Sequence, residues 1–164
     1  MAIPDSIRTF LNRHGADFAT MEHPVAFTAQ REAAAAHVSG RVWAKTVVCL
    51  ADGEPVQAVL PASLSIDEDQ LRRLTGAHSL RLAEESEFER LYPGCERGAM
   101  PPLGPMYGQR VFVDRTLAHD PEIVFNAGTH AEAIRMRYDD FVWLVHPVVG
   151  EFAYQPAARG AGTR

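Results

Sequence analysis

The sequence predicts an α+β fold in which a mixed, barrel-like β-sheet is flanked by helices. Strand-like runs outnumber helical ones and crowd the middle of the chain, which favours a sheet as the scaffold. Residues 42–50 and 56–60 are apolar runs joined through Asp52-Gly53, a strong hairpin signal. Helical segments are short and interrupt or flank these runs, as suits elements packed outside a sheet. At 164 residues the chain fits one domain with its own core, expected over residues 1–154. Residues 155–164, rich in Gly, Ala and Arg, are expected to be a disordered tail.

Taken in order, residues 5–13 read as a helix with Ile7, Phe10 and Leu11 on one face, stopped by Gly15. This opening does not read as a signal segment. Residues 17–22 alternate as a strand. Thr28 is placed to cap a helix over 29–38, with Gly40 just beyond its end. After the hairpin, Ser65-Ile66-Asp67-Glu68 has capping-box spacing and opens a helix to about residue 74. A short strand is expected at 79–82 and an acidic helix at 84–91, ended by Pro93-Gly94. A Pro- and Gly-punctuated loop then runs to Gly108, and long loops of this kind in compact domains are often functional. Strands follow at 110–114, 122–126 and 133–137, then a last helix at 139–145 stopped by Pro147.

Composition narrows the function. Formal charge is −5, which argues against a general nucleic-acid coat but leaves room for an enzyme gripping only an RNA end. The longest apolar run contains Lys45 and falls far short of a membrane span. Cys49 sits in a strand pattern and Cys95 in the loop. Two cysteines make no disulfide framework, so a reducing cytoplasm is the expected setting. Of 16 basic Lys and Arg residues, Lys45 is the one lysine. A compact ammonium does a different job from a planar guanidinium.

Three segments could carry chemistry. In the first, strand parity puts Trp43, Lys45, Val47 and Cys49 on one face, and Ala44, Thr46, Val48 and Leu50 on the other. With both faces apolar, Lys45 must reach water, lose its proton or meet an anion. The second is the loop from Gly94 to Gly104, where glycines allow close approach and Pro101-Pro102 stiffen the chain. The third is Phe125-Asn126-Ala127-Gly128-Thr129-His130, which reads either as an anion- or acyl-binding turn with exposed amides or as a self-satisfied turn. No HExxH, nucleophile elbow, P-loop or dinucleotide fingerprint occurs, and Cys95 with His130 as base rests on no spacing.

In order and separation these segments resemble the YbaK/ProX-type aminoacyl-tRNA deacylases, relatives of the editing domain of bacterial prolyl-tRNA synthetases. The likeness runs through Ala33-Ala34-Ala35-Ala36-His37-Val38 into Trp43-Ala44-Lys45-Thr46-Val47-Val48. It continues through Gly98-Ala99-Met100-Pro101-Pro102, matching a Gly-x-x-x-Pro loop, to Phe125-Asn126-Ala127-Gly128. The resemblance implies that fold, and an enzyme that cleaves the ester of a mischarged tRNA carrying a small amino acid, of the Ser/Thr or Ala type. It implies that Lys45 holds the aminoacylated 3′ end. Thr46, Gly98, Ala99, Pro101, Pro102, Asn126, Gly128, Thr129 and His130 would bind substrate. No cofactor or metal is expected, because the ester is already activated and the substrate's ribose hydroxyl and a water complete the site. The expected partners are the tRNA acceptor end and a synthetase, with no membrane or DNA. Thr46 and the Gly-Ala-Met-Pro-Pro loop look like the branch acting on Ser- or Thr-charged tRNA. The competing readings are a non-catalytic module binding an acceptor end or a synthetase, and a Cys95 hydrolase.

Overall fold

The hairpin expected from Asp52-Gly53 lies at the centre of the sheet. A computed structural model describes residues 3–156. The expected tail falls outside the described residues except for Gln155 and Pro156. Strands β2 (Trp43–Ala51) and β3 (Glu54–Pro61) pair antiparallel, with Lys45 opposite Leu60 and Cys49 opposite Val56. Their turn has positive φ at both Asp52 (50°) and Gly53 (84°), the backbone that matches strand twist.

Ten strands, five α-helices and two short 3-10 helices (Gly104–Tyr107 and Arg115–His119) fill the described residues. Before the hairpin come α1 (Asp5–Arg13), β1 (Ala19–Glu22) and α2 (Ala29–Ala35). After it come β4 (Ser65–Ile66), α3 (Glu68–Thr75), β5 (Leu80–Leu82), α4 (Glu85–Leu91), β6 (Arg110–Asp114), β7 (Glu122–Asn126), β8 (Glu132–Arg137), α5 (Tyr138–Val145), β9 (Val148–Gly150) and β10 (Ala153–Tyr154). One sheet runs β1-β8-β7-β2-β3-β6-β9 with β5 added beside β2. Its β2–β7, β3–β6 and β6–β9 pairs are parallel and the rest antiparallel, so the sheet is mixed as expected. β4 and β10 form a separate pair.

Helices cover both faces. Ala44, Val59, Val111, Ile123, Phe125 and Ile134 pack against Ile7 and Leu11 of α1 and Phe141 and Leu144 of α5. On the opposite face Trp43, Val124 and Ala133 meet Ala33 of α2, while Cys49, Leu60 and Phe112 meet Leu71 of α3. The parity assigned to β2 therefore holds. Among the described residues no helix is long and apolar enough to cross a membrane.

Two boundaries differ from expectation, and two strands are unexpected. α2 stops at Ala35, short of residue 38, because His37 takes the left-handed conformation (φ 58°) and Val38 N–H donates back to the Ala33 carbonyl. α3 is capped by Asp67, whose carboxylate accepts from Gln70 N–H, while Ser65 and Ile66 belong to β4. β9 and β10 are new. The buried Asp114 carboxylate holds the second, accepting from the Phe152 and Ala153 amides, and a carboxylate 38 residues before Phe152 leaves no local pattern.

Candidate functional site

Lys45 sits where the central strand loses a neighbour. Along one edge β2 pairs with β7 only at Trp43 and Ala44, and with β5 only at Cys49–Ala51. The Val48 carbonyl still accepts from Ala83 N–H (2.9 Å), so residues 45–47 face a gap between those two strands. The Lys45 side chain is half-buried above it on the α2 face, in a cavity of about 510 Å³. Thr28, Ala29, Gln30 and Arg31 from the start of α2, the turn 62–65 after β3, and Pro156 line that cavity. Burial alone pushes the ammonium below its ordinary value, with no acidic partner among the described residues to offset it. A desolvated cation in an open cavity is a receptor for an anion or a polarised oxygen. Thr46 projects to the opposite face. Trp43 carbonyl accepts from Ala62 N–H on the β3 side, so alternation turns the Thr46 N–H and C=O into the gap.

The loop and the glycine turn form a second cluster, joined back to back. Gly128 N–H donates to the Ala99 carbonyl (3.0 Å) and Glu96 N–H to the Gly128 carbonyl (2.8 Å). Gly98 (φ 81°) is exposed, whereas Ala99, Pro101 and Pro102 are buried. Gln57 of β3 donates to the Pro101 carbonyl (3.0 Å) and to the Tyr92 hydroxyl (3.3 Å), fastening the loop to the sheet. Two of the turn's amides are engaged within the protein: Gly128 uses its N–H on Ala99, and His130 N–H donates to Glu96 Oε1 (2.6 Å). Thr129 Oγ1 donates to Glu132 Oε1 (3.1 Å), so its hydroxyl is also spoken for.

Glu32 of α2 connects the two clusters. Its carboxylate, 1 % exposed, accepts from Asn126 Nδ2 (3.0 Å) and lies 3.0 Å from His130 Nδ1. His130 Nε2 contacts the Arg97 carbonyl, another acceptor. Two acceptors on one imidazole require a proton on each contact. Either the ring carries both beside a charged Glu32, or one of them sits on Glu32. Burial raises the Glu32 carboxyl, while Asn126 and His130 pull it back down. The first turn of α2 lines the Lys45 cavity and Glu32 anchors Asn126 and His130, so the helix stands between the two groups. Among the lining residues of that cavity are none of Gly98, Ala99, Pro101, Pro102, Asn126, Gly128, Thr129 or His130.

Two further residues join the His130 group. Glu32 shares a helical face with Ala29, Ala33 and Ala36, and that lone carboxylate on an apolar stripe is the signal that could have found it. Phe27, 74 % exposed, lays its ring 5.0 Å from that of His130. No periodicity marks it. Cys95 does not assemble with His130 as a nucleophile pair: its sulfur lies 3.7 Å from the Tyr107 hydroxyl, burial raises its pKa, and both imidazole nitrogens are engaged elsewhere.

Residues 23–144, which hold both clusters, match the family model described as an aminoacyl-tRNA editing domain. The chain belongs to that family. This editing domain is 32% identical over 127 residues to a proline–tRNA ligase of Nitratidesulfovibrio vulgaris, an alignment covering 76% of the chain and 22% of the ligase. It therefore spans about a fifth of the length of that relative. It is 27% identical over 147 residues to the multifunctional Ser/Thr-tRNA deacylase ProXp-y of Escherichia coli, 87% of each chain being covered. A crystal structure of a candidate trans-editing enzyme for prolyl tRNA synthetase superposes with a TM-score of 0.80 at 22% identity, over 93% of this chain and 99% of that one. That likeness bears out the α+β fold expected from the sequence. The enzyme class expected there, an aminoacyl-tRNA deacylase, is the class of the Escherichia coli relative.

Proposed function

We propose that this editing domain is a trans-acting deacylase that hydrolyses the ester between tRNA and a small, wrongly attached amino acid, of the serine or threonine class. The observation that carries it is Lys45: a desolvated ammonium without an acidic partner among the described residues, opening on a cavity at the gap in the central strand. Such a group suits the phosphate or ribose of a terminal nucleotide. Thr46 and the Gly98–Pro102 segment support the Ser/Thr class, as does the likeness to the Escherichia coli deacylase. The partners are the aminoacylated 3′ end and a synthetase that releases it, in the cytoplasm.

In the reaction water adds to the acyl carbon, the acyl–oxygen bond breaks, the ribose oxygen leaves with one of the water's protons, and the amino acid departs as its carboxylate with the other proton released to solvent. Because the ester is already activated, positioning and a desolvated charge supply much of the acceleration. Single-turnover hydrolysis of tRNAs charged with Ser, Thr and Ala tests the proposal, with Ser- or Thr-tRNA turned over fastest. Tight binding of these tRNAs without release of amino acid would instead make the chain a binding module.

A further inference from the structure

A second cavity, of about 540 Å³, adjoins the one at Lys45, and the two share Ser63 and Leu64 in their walls. The far cavity is lined by Ser39, Arg41, Val42, Thr116 and His119 among others. Its rim is held firmly: Ser63 N–H and Oγ both donate to the Gly40 carbonyl, and Arg41 N–H donates to Ser39 Oγ (3.1 Å). Gly40 and Ser63 are packed so closely that a Cβ on Gly40 would lie 3.4 Å from that of Ser63. The turns before β2 and after β3 are thereby fixed side by side, where the two cavities meet in one trough at Ser63 and Leu64.

Charge marks this trough. Arg31 and Lys45 line one half and Arg41 and His119 the other, with Asp120 the sole carboxylate among the lining residues. Six arginines elsewhere are paired with carboxylates, namely Arg72, Arg81, Arg97, Arg115, Arg135 and Arg137. Arg31, Lys45 and Arg41 have no such partner among the described residues, as is also true of Arg8, Arg13, Arg73, Arg90 and Arg110, but these three line one pair of adjoining cavities. In a chain of formal charge −5, a run of unneutralised cations along one groove fits a polyanion threaded through it.

We propose that the groove from Lys45 across Ser63 and Leu64 to Arg41 and His119 binds single-stranded RNA, holding the unpaired nucleotides that precede the esterified one. The inference rests on the tRNA reading above. The terminal nucleotide sits at Lys45, and the phosphodiesters before it pass over the Ser63 turn to the Arg41 guanidinium, with His119 donating beside it. Arg41 supplies backbone contacts and no base readout, so the groove accepts any sequence at these positions.

The test is fluorescence anisotropy with an uncharged RNA hairpin carrying a four-nucleotide single-stranded 3′ extension, against the same hairpin cut blunt. Wild-type protein should prefer the extended hairpin. Arg41→Ala should weaken that binding several-fold and lower the salt slope of log K by about 0.7 for the lost phosphate contact, whereas blunt-hairpin affinity should not move. His119→Ala gives a smaller loss in the same direction. Equal affinity of wild type and Arg41→Ala for the extended hairpin overturns the groove, as does a salt slope that does not change. Deacylation of charged tRNA by wild type is scored separately, so a failure there strikes the proposed function and not the groove.

Discussion

Lys45 works against the stability of the fold that carries it. Its ammonium is depressed below the ordinary 10.5 by burial alone, so the unfolded chain holds that proton more tightly than the folded one. The associated stability is present above pH 10.5 and is lost as pH falls through the depressed value. At neutral pH the charged side chain is therefore a cost. Lys45→Met should raise the melting temperature at pH 8 by thermal denaturation, and the gap over wild type should close towards pH 10.5. The same variant should lose deacylation by about 10- to 100-fold, the size of one hydrogen bond to a charged group. Lys45→Arg should be impaired too, since a planar fork does not replace a compact head in a confined space. Near-normal single-turnover rates for the arginine variant would show that only positive charge matters. Cys95 makes the opposite case: a thiol raised by burial and bonded to Tyr107 is a poor nucleophile, so Cys95→Ser should keep its turnover and the native thiol should alkylate slowly at pH 8.

At the scale of elements, α2 depends on one carboxylate. Glu32→Ala would strand the Asn126 amide and the His130 imidazole in a buried layer, a loss of about 3–5 kcal/mol by denaturant titration. Glu32→Gln keeps an acceptor for one of them and should fall well short of that. Equal losses for the two variants would mean that shape, not hydrogen bonding, holds the helix. Gly128 has a similar position at the other end of the site. Its φ of 92° is one that a side chain avoids, and a Cβ there would lie 2.9 Å from Pro4 Cγ and 3.2 Å from Ile7 Cδ1. Gly128→Ala should cost about 1–3 kcal/mol and loosen α1 from the turn, visible as faster amide exchange at residues 7–11.

For the whole molecule, patterns with a local cause could be read in advance. The hairpin, the faces of β2 and the first helix follow from side-chain period and from the residues needed at a tight turn. The end of α2 escaped because His37 takes a conformation usually left to glycine, and β10 because its anchor, Asp114, comes 38 residues before Phe152. The site divides the same way. Lys45 announced itself as a charge in an apolar strand, and the two glycine segments by their punctuation. Their union through Glu32 depends on a contact across 98 residues, which no spacing encodes. The polar side chains of the glycine turn face inward to that carboxylate and to Glu132, away from the Lys45 cavity.

The fastening of the 96–102 loop has a consequence for how such a protein changes over generations. Beside the side-chain bonds of Glu96 to His130 N–H and of Arg97 to Glu85, four of the loop's bonds to its surroundings fall on main-chain atoms: the Ala99 carbonyl to Gly128, the Pro101 carbonyl to Gln57, the Arg97 carbonyl to His130, and the Glu96 amide to the Gly128 carbonyl. Backbone atoms are the same whatever side chain they bear. Loop side chains can thus be exchanged for others of similar volume while the loop's path is kept, and under the proposed function a new amino-acid preference could arise by drift without first undoing the grip on RNA.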